Sequence, residues 1–245
     1  MASYGKDPTT IIAVAEELSA AVDGLRFSAP VTHVYNPLSY AWPAHRQYLE
    51  RYGASPELEV VLLGMNPGPW GMAQTGVPFG EVGLVSGWLG IDAVVGRPAA
   101  EHPKRPVTGF DCHRSEVSGQ RLWSWARDRF GNPQEFFRRF FVANYCPLMF
   151  LEESGRNRTP DRLPVAERDP LIAVCDEALR RLIEVLQPRY VVGVGRFAEQ
   201  QARRALAESP VRVGRILHPS PASPAANRNW RQQAMAELEQ LGISG

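Results

Sequence analysis

Four short apolar runs, each bounded by polar or turn-forming residues, dominate the hydrophobic pattern of the chain. They cover residues 58–63, 140–144, 190–194 and 211–217. Three of them are nearly continuous rather than alternating, which is typical of strands covered on both faces. The pattern therefore predicts four buried β-strands.

Between and around these runs, apolar residues recur at helical spacing. This spacing predicts helices over residues 9–22, 116–130, 169–186, 196–208 and 224–241. The pairs Asp169-Pro170 and Ser223-Pro224 each place an N-cap residue before a proline, which is a typical helix start. Strands that alternate with helices predict an α/β layered fold with a mainly parallel sheet, and we expect residues 1–245 to form a single domain.

Three of the predicted strands lead into unusual polar residues. These are Asn66, Asn144 and His218. In open α/β sheets the ligand binds beyond the carboxyl ends of the strands, so we expect these three residues to meet at one edge of the sheet. The stretches 64–80, 97–115, 145–168 and 218–223 are predicted to be loops.

The loop after the first strand reads GMNPGPWG, residues 64–71, with three glycines, two prolines and one asparagine. The prolines restrict the backbone, and the glycines leave space around it. Asn66 is the one polar side chain. Such a turn contributes little to a core and is typical of a catalytic or ligand-binding site.

The last strand leads into HPSPASP, residues 218–224, which contains three prolines. They restrict the loop before it binds anything, and the helix that follows offers an N-terminus that favours anions such as phosphate. An isolated histidine is more often structural than catalytic. The proline-stiffened loop shifts the interpretation of His218 toward function.

Three further motifs allow two interpretations each. Asn144 either satisfies backbone groups of its loop or contacts the edge of a nucleobase. The glycines of GVGRFA, residues 193–198, fit a dinucleotide fingerprint, but their late position in the chain favours tight strand-to-helix packing. Arg156, Arg158 and Arg162 either contact a nucleic-acid backbone or lie exposed without a partner.

The net charge of +1 hides an uneven distribution. Residues 97–139 carry nine basic and five acidic side chains, and residues 189–231 carry eight basic and two acidic ones. Of the 27 basic residues, 25 are arginine. The guanidinium group suits phosphate, so the composition indicates an anionic partner. A genome that favours arginine codons would explain the same composition.

Metal and covalent amine chemistry find little support in the sequence. The three cysteines form no C-x-x-C pair and the five histidines show no helical ligand spacing, so no metal site and no cofactor is expected. Enzymes that form a Schiff base with their substrate do so through an amine. The two lysines, Lys6 and Lys104, lie outside every motif, so covalent chemistry through a lysine is not expected.

No run of about 18 apolar residues is present, so no membrane span is expected. The first ten residues lack the apolar core of a signal peptide. These features predict a cytoplasmic protein of bacterial type, associated with the nucleoid when it binds DNA.

Taken together, the motifs resemble those of the single-strand-selective monofunctional uracil-DNA glycosylase family, within the uracil-DNA glycosylase superfamily. The resemblance spans residues 31–230. It includes VTHVYNPLSYAW from residue 31, GMNPGPWGMAQTGVPFGEV at 64–82, CHRSEVSGQRLW at 112–123, FVANYCPL at 141–148, VVGVGRFA at 191–198 and HPSPASPAANRNW at 218–230.

The resemblance implies a three-layer α/β/α fold around a four-stranded parallel sheet. It also implies hydrolysis of the N-glycosidic bond of uracil, and of 5-hydroxymethyluracil, in single- and double-stranded DNA. We expect the protein to be a monomer. We also expect a monofunctional hydrolase, because a glycosylase that cuts the strand usually forms a Schiff base through an amine and neither lysine lies in a motif. Asn66 aligns with the residue that positions the attacking water, and His218 with the residue that stabilises the departing uracil anion. Asn144 aligns with the residue that reads the base, and Phe79 with the ring that stacks on it.

Met65 and Gly68 align with positions in the pocket wall. In the uracil-specific branch of the superfamily, a tyrosine at the position of Gly68 excludes bases with a 5-substituent. The glycine therefore implies room beside C5.

The loop from His218, with Ser220, Pro221, Ala222 and Ser223, matches the segment that enters DNA. Family members can carry arginine at the position of Ala222 to fill the space left by the flipped base. Alanine is too short to do so, which leaves Arg228 or a neighbouring proline as the substitute.

Two other classes of protein are consistent with parts of this pattern. A nucleoside or nucleotide hydrolase would act on small molecules, and the two basic segments argue against it. A non-catalytic DNA-binding module would not require Asn66, Asn144 and His218 together.

Overall fold

The structure is a computed structural model that describes residues 8–244. Residues 1–7 lie outside the described residues. They include Lys6 and most of the ten N-terminal residues for which no signal peptide was predicted. The strands are β1 (Val31–Tyr35), β2 (Val60–Gly64), β3 (Phe140–Asn144), β4 (Met149–Glu152), β5 (Asn157–Arg158), β6 (Tyr190–Val194) and β7 (Arg212–Ile216).

The α-helices are α1 (Pro8–Asp23), α2 (Pro37–Tyr40), α3 (Trp42–Tyr52), α4 (Met72–Thr75), α5 (Val82–Gly87), α6 (Val117–Phe130), α7 (Pro133–Arg139), α8 (Val165–Leu186), α9 (Arg196–Ala205) and α10 (Pro224–Gln240). Two 3₁₀ helices cover Gly109–Asp111 and Pro160–Arg162. No helix among residues 8–244 is both long enough and apolar enough to cross a membrane.

The four predicted strands form one parallel sheet in the order β3-β2-β6-β7, which confirms the predicted fold class. All residues of β2 and β6 are buried, as their continuous apolar sequences predicted. The register places Gly64 beside Asn144 and Val194 beside Ile216. The residues that follow these strands therefore start from the same edge of the sheet.

Helices cover both faces of this sheet, as adjacent residues of β3 demonstrate. Successive side chains of a strand point to opposite faces. The Phe140 ring stacks on Phe136 of α7 with centroids 5.3 Å apart, whereas the Phe141 ring stacks on Tyr48 of α3, also at 5.3 Å. The sheet is thus the middle layer of an α/β/α arrangement.

A second sheet, antiparallel in the order β1-β4-β5, was not predicted. Residues 145–168 were expected to be a loop, but they contain β4 and β5. With four and two residues, these strands are too short to show a clear alternation of apolar and polar positions.

The predicted start of α8 was wrong. The helix begins at Val165, so Asp169-Pro170 lies inside it rather than at its N-terminus. Pro170 lacks the N–H that would bond to the carbonyl of Ala166, but both residues are exposed, so water can hydrate that carbonyl. The other predicted start was correct, because the Ser223 side chain accepts a hydrogen bond from the N–H of Ala226 at 3.3 Å and caps α10.

Candidate active site

Residues 64–71, the Asn66 turn, continue the pairing of β2 with β3 beyond the strands. The N–H groups of Tyr145 and Cys146 donate to the carbonyls of Gly64 and Met65, both at 2.9 Å. Nδ2 of Asn66 then donates to the carbonyl of Leu148 at 3.1 Å. The oxygen of the same amide accepts no hydrogen bond from residues 8–244, so it remains available as an acceptor.

The side-chain amides of Gln74 and Asn157 also hold the Asn66 turn. Nε2 of the buried Gln74 donates to the carbonyls of Pro69 and Pro106, both at 2.9 Å. Nδ2 of Asn157 donates to the carbonyl of Pro67 at 3.0 Å. The turn is therefore rigid both through its prolines and through side chains from distant segments, which local sequence patterns did not reveal.

Asn144 and Phe79 lie together over Gly64. A Cβ atom at position 64 would come within 2.5 Å of the Phe79 ring and would collide with the side-chain oxygen of Asn144. Nδ2 of Asn144 lies 3.2 Å from the sulfur of Met72, which is a weak acceptor. The glycine that ends β2 thus leaves space for an aromatic face next to an amide.

Phe79 adopts a left-handed backbone conformation with φ of 54°, which is rare for a bulky residue. Two neighbours hold it there. The hydroxyl of Thr75 donates to the carbonyl of Gly80 at 3.3 Å, and the carbonyl of Phe79 packs directly against Gly119 of α6. Strained backbone of this kind is concentrated at functional sites.

His218 follows the edge strand β7, yet its ring reaches Phe79, with centroids 6.0 Å apart and planes tilted by 42°. Gly195, at the end of β6, allows this approach. Its φ is +96°, and a Cβ atom there would lie 3.1 Å from Cβ of His218. A Cβ at Gly193 would likewise meet Cα of Glu199 at 2.6 Å. These contacts agree with the packing interpretation of the GVGRFA glycines.

Burial lowers the pKa of His218 from its ordinary value of 6.5 to about 4. No carboxylate of the described residues offsets this effect with an ion pair. The imidazole is therefore neutral at pH 7 and can donate one hydrogen bond. Asn144, Phe79 and His218 thus lie together at the carboxyl edge of the parallel sheet, and Asn66 follows two residues after Gly64, which both Asn144 and Phe79 contact.

Residues 218–223, the His218 loop, are held by Arg121 of α6, which the sequence did not single out. Its Nη1 donates to the carbonyls of Pro219 and Ser220 at 3.2 and 3.4 Å, and its Nη2 donates to Oδ1 of Asn227 at 2.8 Å. Nδ2 of Asn227 donates in turn to the carbonyl of Pro221 at 2.8 Å.

The two serines of the His218 loop bond within it. The Ser220 hydroxyl accepts from the N–H of Ala222 at 3.1 Å, and the carbonyl of Ser220 accepts from the N–H of Ser223 at 3.1 Å. Pro221 and Ala222 are exposed at the tip, and Arg228 is exposed on α10. The loop thus presents proline and alanine outward on a braced backbone.

Gly68 lies against Glu116, which immediately precedes α6. The φ of Gly68 is not positive, so its backbone conformation does not require glycine. A Cβ atom at Gly68 would lie 2.5 Å from Oε2 of Glu116, and this carboxylate accepts from the N–H of Trp70 at 3.3 Å. Burial raises the pKa of Glu116. The carboxylate of Glu116 therefore lies where a Cβ atom of residue 68 would be, and room beside C5 of the base stays a prediction.

Met65, the other predicted wall residue, is half-buried in the Asn66 turn. The basic residues predicted to contact DNA differ among themselves. Arg158 forms an ion pair with Glu152 at 2.7 Å and donates to the carbonyl of Arg162 at 2.9 Å, so it stabilises its own loop. Arg156 and Arg162 are exposed. Asn157, which lies between Arg156 and Arg158, joins this loop to the Asn66 turn through the carbonyl of Pro67.

Comparison with known proteins shows the family of the chain. The family model of the uracil DNA glycosylase superfamily matches residues 51–239. A single-strand selective monofunctional uracil-DNA glycosylase of Rattus norvegicus is 55% identical over 92% of this chain and 82% of its own length. The protein of the same name from Bos taurus is 55% identical over 89% of this chain and 81% of its own.

Among solved structures, that of SMUG2 from Pedobacter heparinus shares the fold. Its TM-score is 0.63 at 14% identity, and the match covers 94% of this chain and 99% of that one. The chain therefore belongs to the uracil-DNA glycosylase superfamily and, within it, to the single-strand selective monofunctional uracil-DNA glycosylases.

Proposed function

We propose that this protein hydrolyses the N-glycosidic bond of uracil in DNA and leaves an abasic site, which is the first step of base excision repair. We include 5-hydroxymethyluracil as a substrate, and both single- and double-stranded DNA. The base must leave the stack to reach the site, which costs a few kcal/mol and least in a single strand. Phe79 then stacks on the base, and Asn144 forms hydrogen bonds with its edge.

In the proposed reaction the bond between C1′ and N1 breaks first, and its electron pair leaves with the uracil as an anion. A water molecule adds to the oxocarbenium-like C1′, and its proton is released to solvent or to the departing base. An asparagine cannot remove that proton at neutral pH. It can hold the water in place, which suffices when the nucleophile attacks late.

The observation that supports this mechanism most directly is the fixed orientation of the Asn66 amide. Its nitrogen donates to the carbonyl of Leu148, so its free oxygen can accept a hydrogen bond from the attacking water. The neutral His218, whose ring lies near Phe79, can donate to the developing charge on the uracil oxygen. A preorganised donor of this kind contributes typically about 3–4 kcal/mol to the transition state.

The contact between Gly68 and Glu116 bears on the larger substrate. A side chain at position 68 would have to displace the carboxylate, whereas glycine leaves it in place. A carboxylate is an acceptor and could receive the hydroxyl of a 5-hydroxymethyl group. This polar position in the pocket wall supports 5-hydroxymethyluracil as a second substrate.

The test is an incubation of the purified protein with oligonucleotides that contain one uracil or one 5-hydroxymethyluracil, single-stranded or paired, followed by alkali. We expect strand cleavage only after alkali. The His218→Ala variant should react roughly 100–1000-fold more slowly in single turnover and still bind DNA. Nicking without alkali would overturn the monofunctional assignment. Release of base from free deoxyuridine, but not from DNA, would indicate a nucleoside hydrolase instead.

A further inference from the structure

Trp70, at the outer end of the Asn66 turn, is flanked by two arginines. The guanidinium carbon of Arg114 lies 4.5 Å from the centroid of the indole ring, and that of Arg105 lies 5.3 Å from it. We refer to Trp70, Arg105 and Arg114 as the Trp70 cluster. Nothing in the proposed cleavage reaction uses these residues.

Both arginines of the cluster lack an ion-pair partner among residues 8–244, although 15 ion pairs occur elsewhere in that part of the chain. Arg105 donates only to the carbonyl of its neighbour Lys104, and its buried Nε has no partner. Glu116 does approach the cluster, but its carboxylate accepts from the backbone of Trp70. Within residues 8–244, neither guanidinium of the cluster is thus held in an ion pair.

Helix α6 and the residue that precedes it fix the cluster relative to the pocket. Glu116 contacts Trp70, Gly119 contacts Phe79, and Arg121 holds the His218 loop. A helix rises about 1.5 Å per residue, so Glu116 and Arg121 are separated by about 7.5 Å along the axis. The contacts to the Trp70 cluster, to Phe79 and to the His218 loop therefore follow one another in that order along α6.

We propose that Arg105 and Arg114 of the Trp70 cluster each bind a backbone phosphate of the strand that carries the target base, on the side opposite to the His218 loop. The inference rests on the proposed function, since it assumes that DNA is the substrate. A guanidinium held over an aromatic ring is already oriented, and its outward N–H groups match two phosphate oxygens. The contact requires no complementary strand, so it serves single-stranded DNA as well as a duplex.

The chain provides a matched control at the opposite edge of the sheet. Tyr190, at the start of β6, is also flanked by two arginines. Arg189 lies 5.2 Å and Arg212 lies 5.9 Å from its ring centroid. Both control arginines are exposed, and they lie at the amino ends of their strands, away from the pocket.

The experiment compares the double variant Arg105→Gln/Arg114→Gln with Arg189→Gln/Arg212→Gln. The probe is a labelled single-stranded oligonucleotide without uracil, and its Kd is measured by fluorescence anisotropy from 50 to 200 mM KCl. Each phosphate contact contributes about 0.7 to the salt dependence of single-strand binding. Loss of two contacts should reduce the slope by about 1.4, so the wild type should lose about 7-fold more affinity over this range than the double variant.

The control variant should keep the slope of the wild type. Arg114→Gln alone changes an exposed side chain and should reduce the slope by about 0.7, which provides a test even where the double variant folds poorly. Equal slopes for wild type, Arg114→Gln and the double variant would overturn the proposal. So would an equal reduction in the control.

Shortened oligonucleotides that contain uracil test on which side of the uracil the Trp70 cluster binds. We expect the binding defect of the double variant to disappear when nucleotides are removed on one side of the uracil but not on the other. A defect that persists in both truncated oligonucleotides would refute the assigned position. Uracil release by the wild type is measured separately, so an inactive wild type would overturn the proposed function, whereas an active one with an unchanged salt slope would overturn only this inference.

Discussion

The variant Gly119→Ala provides a direct test of whether α6 positions the aromatic face of the pocket. A Cβ atom at position 119 would collide with the carbonyl oxygen of Phe79. It would also lie 2.9 Å from the carbonyl carbon of Phe79 and 3.1 Å from the backbone nitrogen of Glu81. All of these atoms belong to the backbone, so rotation of a side chain cannot relieve the contact.

The segment that carries Phe79 must therefore withdraw from α6. A misplacement of roughly 1 Å can slow an enzyme about 100-fold, and we expect a loss of that size in the single-turnover rate of uracil release. The effect on stability should be smaller. Overpacking costs about 1–3 kcal/mol, while the replacement of glycine by alanine within a helix returns up to about 1 kcal/mol.

The assay measures uracil release from a single-stranded oligonucleotide at saturating enzyme, together with a thermal melt. Gly87→Ala is the control, because this glycine lies in α5 and a Cβ atom there meets nothing within 4 Å. A folded Gly119→Ala protein that reacts within a few-fold of the wild type would refute the proposed support of Phe79. So would an equal loss of activity in Gly87→Ala.

Three further predictions concern other parts of the site. Because burial lowers the pKa of His218 to about 4, the rate of uracil release should show no titration near pH 6.5. The free energy of unfolding should fall as pH decreases from about 6.5 towards 4, since in that range only the unfolded chain binds the proton. An inflection in the rate near pH 6.5 that vanishes in His218→Asn would contradict this prediction. Arg121→Ala should slow the release of paired uracil about 10-fold more than the release of uracil from single strands, since only a duplex requires the braced His218 loop to open it. The rate of Arg121→Lys should lie between those of Arg121→Ala and the wild type, and equal effects on both substrates would contradict the role of Arg121. Gly68→Tyr should keep measurable release of uracil and lose the release of 5-hydroxymethyluracil. Adding Glu116→Ala to Gly68→Tyr should raise the rate of uracil release, because it removes the clash with the carboxylate. Parallel loss of both activities with and without Glu116→Ala would show that the glycine is needed for the conformation of the turn.

The sequence predicted the parallel sheet because three of its four strands are buried on both faces, while the edge strand β7 is partly exposed. Such strands are continuous apolar runs, and the four runs became β2, β3, β6 and β7 with boundaries that shifted by at most two residues. The position of the candidate site followed from that architecture. Polar residues after three parallel strands start from one edge of the sheet, and there His218 lies 6.0 Å from Phe79, which packs beside Asn144 over Gly64.

Other features depend on contacts between distant segments, which no local pattern encodes. Arg121 bonds to residues 98 and 99 positions away, and Glu116 bonds to Trp70 across 46 positions. Neither residue type signals such a role, since exposed arginines and glutamates are common on helices. The orientation of the Asn66 amide was likewise hidden, because it depends on the carbonyl of Leu148.

The prolines of the two loops and the helix α6 make different contributions to the geometry of the site. Prolines restrict each loop internally, which reduces the entropy lost when the loop is ordered. They do not fix one loop relative to another. That relation comes from Glu116, Gly119 and Arg121, which contact the Asn66 turn, Phe79 and the His218 loop within six consecutive residues. Since a misplacement of about 1 Å is costly for catalysis, this shared support, more than the stiffness of either loop, preorganises the pocket.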